Sequence, residues 1–159
     1  MSTIIIEGPD GAGKTRLVEA LLDRYPEYRA APRACTSIDG PLSGRDLVYW
    51  INRFGMLDGN IYDRHPAISG PVYDAVLSRR VELWVQPWIQ GIFHEIHESA
   101  RVIYCRPPRR AIVEAVNGAP QMDGVNRMIH RLVDTYDAIM ANMIQHERYD
   151  WTRDDLPSL

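Results

Sequence analysis

The sequence predicts a three-layer α/β/α domain built on a small, mostly parallel five-stranded sheet. Three observations carry that prediction. A β-branched strand runs straight into a glycine-rich turn and an amphipathic helix, short apolar strands then alternate with helical stretches to the end of the chain, and no linker, internal repeat or low-complexity segment interrupts the pattern. Alternation of this kind implies parallel strands joined by helices that cover both faces of the sheet. One domain spanning 1–159 accommodates it.

Each element has a local reason. Thr3-Ile4-Ile5-Ile6, within Ser2 to Glu7, is apolar on both faces, as in a buried parallel strand. From Lys14 to about Arg24, Leu17, Val18, Leu21 and Leu22 recur at helical spacing. Tyr28 to Ala34 is a candidate second strand, and Pro41 to Gly44 a turn in which Ser43 caps a helix through Leu47, Val48, Ile51 and Phe54. Asn60-Ile61-Tyr62 reads as a brief strand delivering Asp63 and Arg64 to its carboxyl end, the edge at which open α/β sheets bind ligands. Pro66 to Pro71 reads as a turn, followed by helices over Val72–Arg79 and Val81–His97, the second bent at Pro87. Arg101 to Cys105 is the next strand. Pro107-Pro108 opens a helix to about Val116, Asn117 to Pro120 break it, and a long amphipathic helix occupies about Gln121 to Gln145. Tyr149 to Thr152 is the last candidate strand.

Composition narrows the function classes. A formal charge of −3 and a pI near 5.9 give no overall basic field, so a polyanionic partner would need a local cluster. Cys35 and Cys105 lack C-x-x-C spacing, which suits a reducing compartment and argues against a disulfide scaffold or zinc site. No apolar run approaches the roughly 18 residues of a membrane span, and no basic region precedes an apolar start, so a cytoplasmic protein is expected. The 18 basic residues comprise 17 arginines and one lysine, Lys14. That compact ammonium falls inside the glycine-rich turn, where a planar guanidinium would fit a phosphate cradle differently.

The turn Gly8-Pro9-Asp10-Gly11-Ala12-Gly13-Lys14-Thr15 satisfies G-x-x-x-x-G-K-[ST] in full, between a strand and a helix. Its glycines let backbone N–H groups face a β-phosphate, and the helix adds its positive end. Lys14 neutralises β- and γ-oxygens, and Thr15 offers a hydroxyl to magnesium. Binding of ATP with Mg2+ is therefore expected. Asp63 at the neighbouring strand end is a second candidate for holding magnesium, and Arg64 a candidate for bridging donor and acceptor phosphates. His65 reads as a packing or hydrogen-bonding residue. His94 and His97 are three residues apart, not the four of H-E-x-x-H, and read as a solvated helix face. Trp50 and Phe54 are either core or a stacking surface for an acceptor base.

With Ile5-Ile6-Glu7 before the loop, and Asp63-Arg64-His65, Ser69 and Val72-Tyr73 after it, the chain resembles the thymidylate kinase family of P-loop nucleoside and nucleotide kinases. The second group is similar to that family's D-R-[YFH] segment followed by serine and A-Y-Q. The resemblance implies a P-loop kinase fold in which Asp10 contacts the acceptor sugar, Arg64 its phosphate, and Tyr73 the sugar face that excludes a 2′-hydroxyl. It also implies a candidate homodimer across the helix bearing Trp84 and Trp88.

Departures from the family pattern bear on the acceptor. Asp74 stands where the family has the glutamine that reads thymine, and one extra residue separates Asp63 from Tyr73. The lid shrinks to about Asn117 to Gly124. Gly11 stands where some relatives carry an arginine, so transition-state arginines are sought in Arg127 and Arg131, with Arg106, Arg109 and Arg110 as the other group. The expected function is phosphoryl transfer from ATP to a thymidine-like deoxynucleotide, dTMP to dTDP first. The alternative resembles the bacteriophage kinases that phosphorylate 5-hydroxymethyluracil within DNA, an acceptor too large to enclose. A deoxynucleoside kinase and a non-kinase ATPase or switch complete the range.

Overall fold

The computed structural model describes residues 1–36, 40–42, 44–78, 87–143 and 145–159. Strand β1 (Thr3–Glu7) leads through the glycine loop into α1 (Lys14–Arg24), then β2 (Arg29–Ala30). A two-stranded antiparallel ribbon of β3 (Cys35–Thr36) and β4 (Gly40–Pro41) precedes α2 (Gly44–Phe54) and β5 (Asn60–Asp63). Helices α3 (Pro66–Val76) and α4 (Pro87–Ser99), strand β6 (Ala100–Cys105), helices α5 (Arg109–Asn117) and α6 (Val125–Met143), and strand β7 (Glu147–Tyr149) follow. The main sheet has the order β2-β5-β1-β6-β7, and each of its adjacent pairs is parallel. This is the expected three-layer α/β fold.

Successive side chains of a strand point to opposite faces, and β1 divides accordingly. Ile4 and Ile6, with Ile61, Ile103 and Cys105, meet Leu17, Val18 and Leu21 of α1, with Leu156 and Leu159 of the C-terminal segment packed alongside. Ile5, with Tyr62, Val102 and Tyr104, faces the larger core that α2 to α6 build through Leu47, Ile68, Val72, Ile112, Leu132 and Tyr136. All five β1 residues are buried. A fully buried isoleucine contributes roughly 1.5–3 kcal/mol, so the central strand anchors both layers.

Several boundaries depart from the sequence expectations. Pro66 to Pro71 is not a turn: α3 begins at Pro66, because His65 supplies the N-cap by accepting from Ala67 N–H at 3.2 Å and proline at the first helical position suits a helix start. Pro71 lies inside the helix, where it lacks the N–H that would bond the Ala67 carbonyl. The expected second strand, Tyr28 to Ala34, shortens to β2, and β3 begins after it in the separate ribbon. Strand β7 ends at Tyr149, because Asp150 accepts from Thr152 N–H and the Thr152 hydroxyl and turns the chain. The Ser43 cap, Trp84 and the start of the expected Val81 helix lie outside the described residues.

Candidate active site at the edge of β1 and β5

The glycine loop is shaped by contacts that exclude side chains. Gly8, Gly11 and Gly13 adopt φ of 143°, 73° and 85°, conformations open to glycine. A Cβ on Gly8 would stand 2.5 Å from the Cys105 carbonyl oxygen, and one on Gly11 2.7 Å from the Ile112 carbonyl oxygen. The loop is thus pressed between β6 and α5. Gly13 ends it as the left-handed N-cap of α1, with the indole of Trp151 lying over it. Lys14 folds back to donate from Nζ to the Pro9 carbonyl oxygen at 2.6 Å. Its burial, helped by the nearby Arg64 charge, lowers its pKa to about 8. Below that pH it keeps the ammonium a phosphate needs.

Strand pairing sets the second half of the site. Ile6 is in register with Asp63, so the end of β5 lies beside the start of the loop, and Arg64 N–H extends the ladder to the Ile6 carbonyl oxygen at 2.9 Å. Arg64 holds φ of 71°, which is uncommon for a residue with a side chain and is the kind of strain found at functional sites. Its guanidinium donates to Asp10 Oδ1 at 2.8 Å and to the Tyr73 hydroxyl at 2.7 Å, and lies 5.2 Å above the centre of the Tyr73 ring. The Tyr73 hydroxyl in turn donates to Asp10 Oδ2. Burial alone would raise the Asp10 pKa, but the Arg64 and Lys14 charges outweigh it and hold the carboxyl well below the usual range. Asp10, Arg64 and Tyr73 therefore form one closed charged unit.

The Thr15 hydroxyl donates to Asp63 Oδ2 at 2.7 Å, joining the first turn of α1 to the end of β5. The Arg33 guanidinium donates to the same carboxylate oxygen at 2.6 Å and to Thr15 Oγ1 at 3.3 Å. These hard oxygens, already holding a cationic group, suit magnesium, which binds through few protein oxygens together with substrate phosphates. Sequence reading missed Arg33. No motif marks it; only the pairing of β2 with β5, Ala30 opposite Ile61, brings its segment to this edge.

Behind the site, Glu7 is fully buried. Its Oε1 accepts from His65 N–H at 2.7 Å, and its Oε2 from Gly8 N–H at 3.3 Å and the Tyr136 hydroxyl at 3.2 Å. Burial pushes its pKa up to about 7, against the pull of these bonds and the Arg64 and Lys14 charges. His65 bonds the Gly55 carbonyl oxygen through Nε2 at 2.8 Å and accepts at Nδ1, so it is a neutral ring fixed in one tautomer. Burial lowers its pKa to about 4. Glu7 and His65 thus fasten the glycine loop, β5 and α3 together.

The remaining candidates divide. Trp50, one of the candidate stacking residues, lies in the core instead: it is 4% exposed and packs against Tyr62, His65 and Phe54. Phe54 is half-buried between Trp50 and Tyr49. Asp74 follows Tyr73 on α3 and is half-buried. Arg106 clamps Asp137 with two bonds of 2.7 and 2.9 Å, Arg109 pairs with Asp134, and Arg110 pairs with Glu114 along α5. Arg127 and Arg131 are exposed on α6, and neither forms an ion pair with another described residue. Residues 118–124 make the whole connection from α5 to α6. His94 pairs with Glu98 at 3.2 Å on the exposed face of α4. No helix among the described residues is long and apolar enough to cross a membrane.

No family model matches the chain. It is 25% identical over 151 residues to a guanylate kinase of Rubrobacter xylanophilus, an alignment covering 88% of this chain and 74% of that protein. The fold is similar to the YorR protein from Bacillus subtilis in complex with phosphorylated GDP, with a TM-score of 0.72 at 19% identity, over 96% of this chain and 87% of that one. It is also similar to deoxyadenosine kinase from M. mycoides with bound dCTP, with a TM-score of 0.63 at 15% identity, over 96% and 92% of the two chains. By fold the chain is nucleotide-kinase-like. These relatives carry guanylate, GDP and deoxyadenosine in their names, so the likeness supports the wider kinase group and not a thymidylate branch.

Proposed function

We propose that this protein is a magnesium-dependent nucleotide kinase, acting as one P-loop domain, that moves the γ-phosphoryl group of ATP to a deoxynucleoside monophosphate, with dTMP the first acceptor to test. The observation that carries the reading is the meeting of Thr15 and Asp63 at 2.7 Å, one residue away from the closed unit of Arg64, Asp10 and Tyr73. Donor machinery and a charged recognition unit thereby share one sheet edge.

In this reading the backbone from Gly8 to Thr15, including Pro9, Asp10, Gly11, Ala12 and Gly13, cradles the donor phosphates, and the Lys14 ammonium spans the β- and γ-oxygens. A magnesium ion held by Thr15 and Asp63 would neutralise charge on those oxygens. An acceptor phosphate oxygen forms the new bond to the γ-phosphorus as the bond to the bridging β–γ oxygen breaks, leaving ADP. Arg64 stabilises charge on the transferring group, and Tyr73 flanks the acceptor sugar near Asp10. Arg127 and Arg131 are the exposed arginines available to close from the lid side, and Asp74 is the candidate base-facing residue.

The state of Asp10 bears on the acceptor. A carboxylate held well below its usual pKa is a poor proton acceptor, so it is ill suited to activating a hydroxyl. An acceptor that is already an anion needs no such base, which favours a monophosphate over a nucleoside. One observation favours a second reading, the kinase of 5-hydroxymethyluracil in DNA: the connection at 118–124 is too short to enclose much.

The test is transfer from radiolabelled ATP and Mg2+ to dTMP, dGMP, GMP, dAMP, deoxynucleosides and DNA containing 5-hydroxymethyluracil. A labelled diphosphate supports the first reading and labelled DNA the second. Label released only as inorganic phosphate contradicts both.

A further inference from the structure

Arg33 holds a position that the phosphoryl-transfer scheme above does not use. A single nitrogen, Nη2, reaches both Asp63 Oδ2 at 2.6 Å and Thr15 Oγ1 at 3.3 Å. The Thr15 hydroxyl spends its proton on Asp63, so both oxygens turn lone pairs toward the guanidinium. Asp63 is fixed, with its side chain 11% exposed at the end of a paired strand, whereas the Arg33 side chain is 48% exposed on a segment beyond β2. The carboxylate therefore cannot leave the pair without losing its bonds, while the guanidinium can retract into water at small cost.

We propose that Arg33 and the divalent cation are alternative occupants of the Thr15–Asp63 oxygen pair, so that metal loading displaces Arg33 into solvent. This rests on the kinase reading, which makes Thr15 and Asp63 the metal ligands. Two cations cannot share one carboxylate oxygen and one hydroxyl without strong mutual repulsion, and the metal is the one that arrives with the triphosphate. Before that exchange, Arg33 cancels the Asp63 charge that would otherwise repel phosphate oxygens.

The test compares wild type, Arg33→Ala and Arg33→Lys by calorimetric titration with the non-hydrolysable ATP analogue AMP-PNP, once in EDTA and once in excess Mg2+. Arg33→Ala should bind the metal-free analogue about 3- to 10-fold more weakly, since a cation is lost beside the phosphates. Its gain in affinity on adding Mg2+ should be about 3- to 10-fold larger than in wild type, since a competitor is lost. Arg33→Lys, which keeps a single nitrogen and its charge, should show the wild-type pattern. A magnesium gain in Arg33→Ala equal to or below that of wild type overturns the exchange. If wild type binds the analogue in neither condition, the kinase reading fails, and the exchange with it.

Discussion

Replacing Glu7 by Gln should turn a flat acid limb of the stability profile into a slope. Burial pushes the Glu7 carboxyl up from 4.5 to about 7 and pushes His65, bonded to the Gly55 carbonyl, down from 6.5 to about 4. Between pH 4.5 and 6.5 the folded protein keeps a proton on Glu7 that the unfolded chain has lost. Over the same window it lacks on His65 a proton that the unfolded chain carries. The first difference makes stability fall as pH rises, and the second makes it rise. Each displacement corresponds to about 3 kcal/mol at about 1.4 kcal/mol per pH unit, so the two cancel. Asp10, held down by Arg64 and Lys14 against its burial, titrates below this window, and Lys14 titrates above it. In Glu7→Gln only His65 remains, and stability should rise by about 3 kcal/mol from pH 4 to pH 6.5. Urea midpoints at half-unit steps of pH, with the dependence on urea checked for constancy, measure this. A uniform loss from the amide's poorer bonding drops out of the slope. A variant as flat as wild type would refute the opposed-pair argument.

Three further substitutions test the site. Lys14→Ala should lower phosphoryl transfer at least about a hundredfold while the circular dichroism spectrum stays folded, because a pre-positioned charge at the transferring group is lost. Arg64→Ala should lower kcat by about 10²–10³-fold and change ATP affinity far less, as steady-state kinetics beside nucleotide titration would read. An equal fall in both would assign Arg64 to donor binding. Gly11→Ala forces a side chain to φ of 73° with its Cβ 2.7 Å from a backbone oxygen, and should cost about 1–3 kcal/mol in a thermal or urea melt. An unchanged melt would show that the loop relaxes freely.

The parts of the site that could be read from the sequence are those in which physics acts over a short stretch of chain. The phosphate loop is eight consecutive residues whose glycines, lysine and threonine each answer a local demand, and Asp63-Arg64 follows directly from a strand end. Arg33 was hidden because its partners, Thr15 and Asp63, are 18 and 30 residues away, and only the two-residue pairing of β2 with β5 brings them together. Pro66 and Pro71 misled in another way. As local signals they break helices, yet the buried His65 cap and the apolar contacts of Ile68, Val72 and Tyr73 with the core override them. Trp50 shows the same limit: an aromatic ring on an amphipathic helix has no local mark that separates stacking on a ligand from stacking on Tyr62 and His65.

The claim that the N-terminal loop grips a triphosphate is tested most directly by calorimetric titration of ATP with Mg2+ into wild type and Lys14→Ala. Wild type should bind saturably and one to one, with affinity weakened about tenfold or more in the variant. No binding by wild type, or equal affinity in the two proteins, would contradict it.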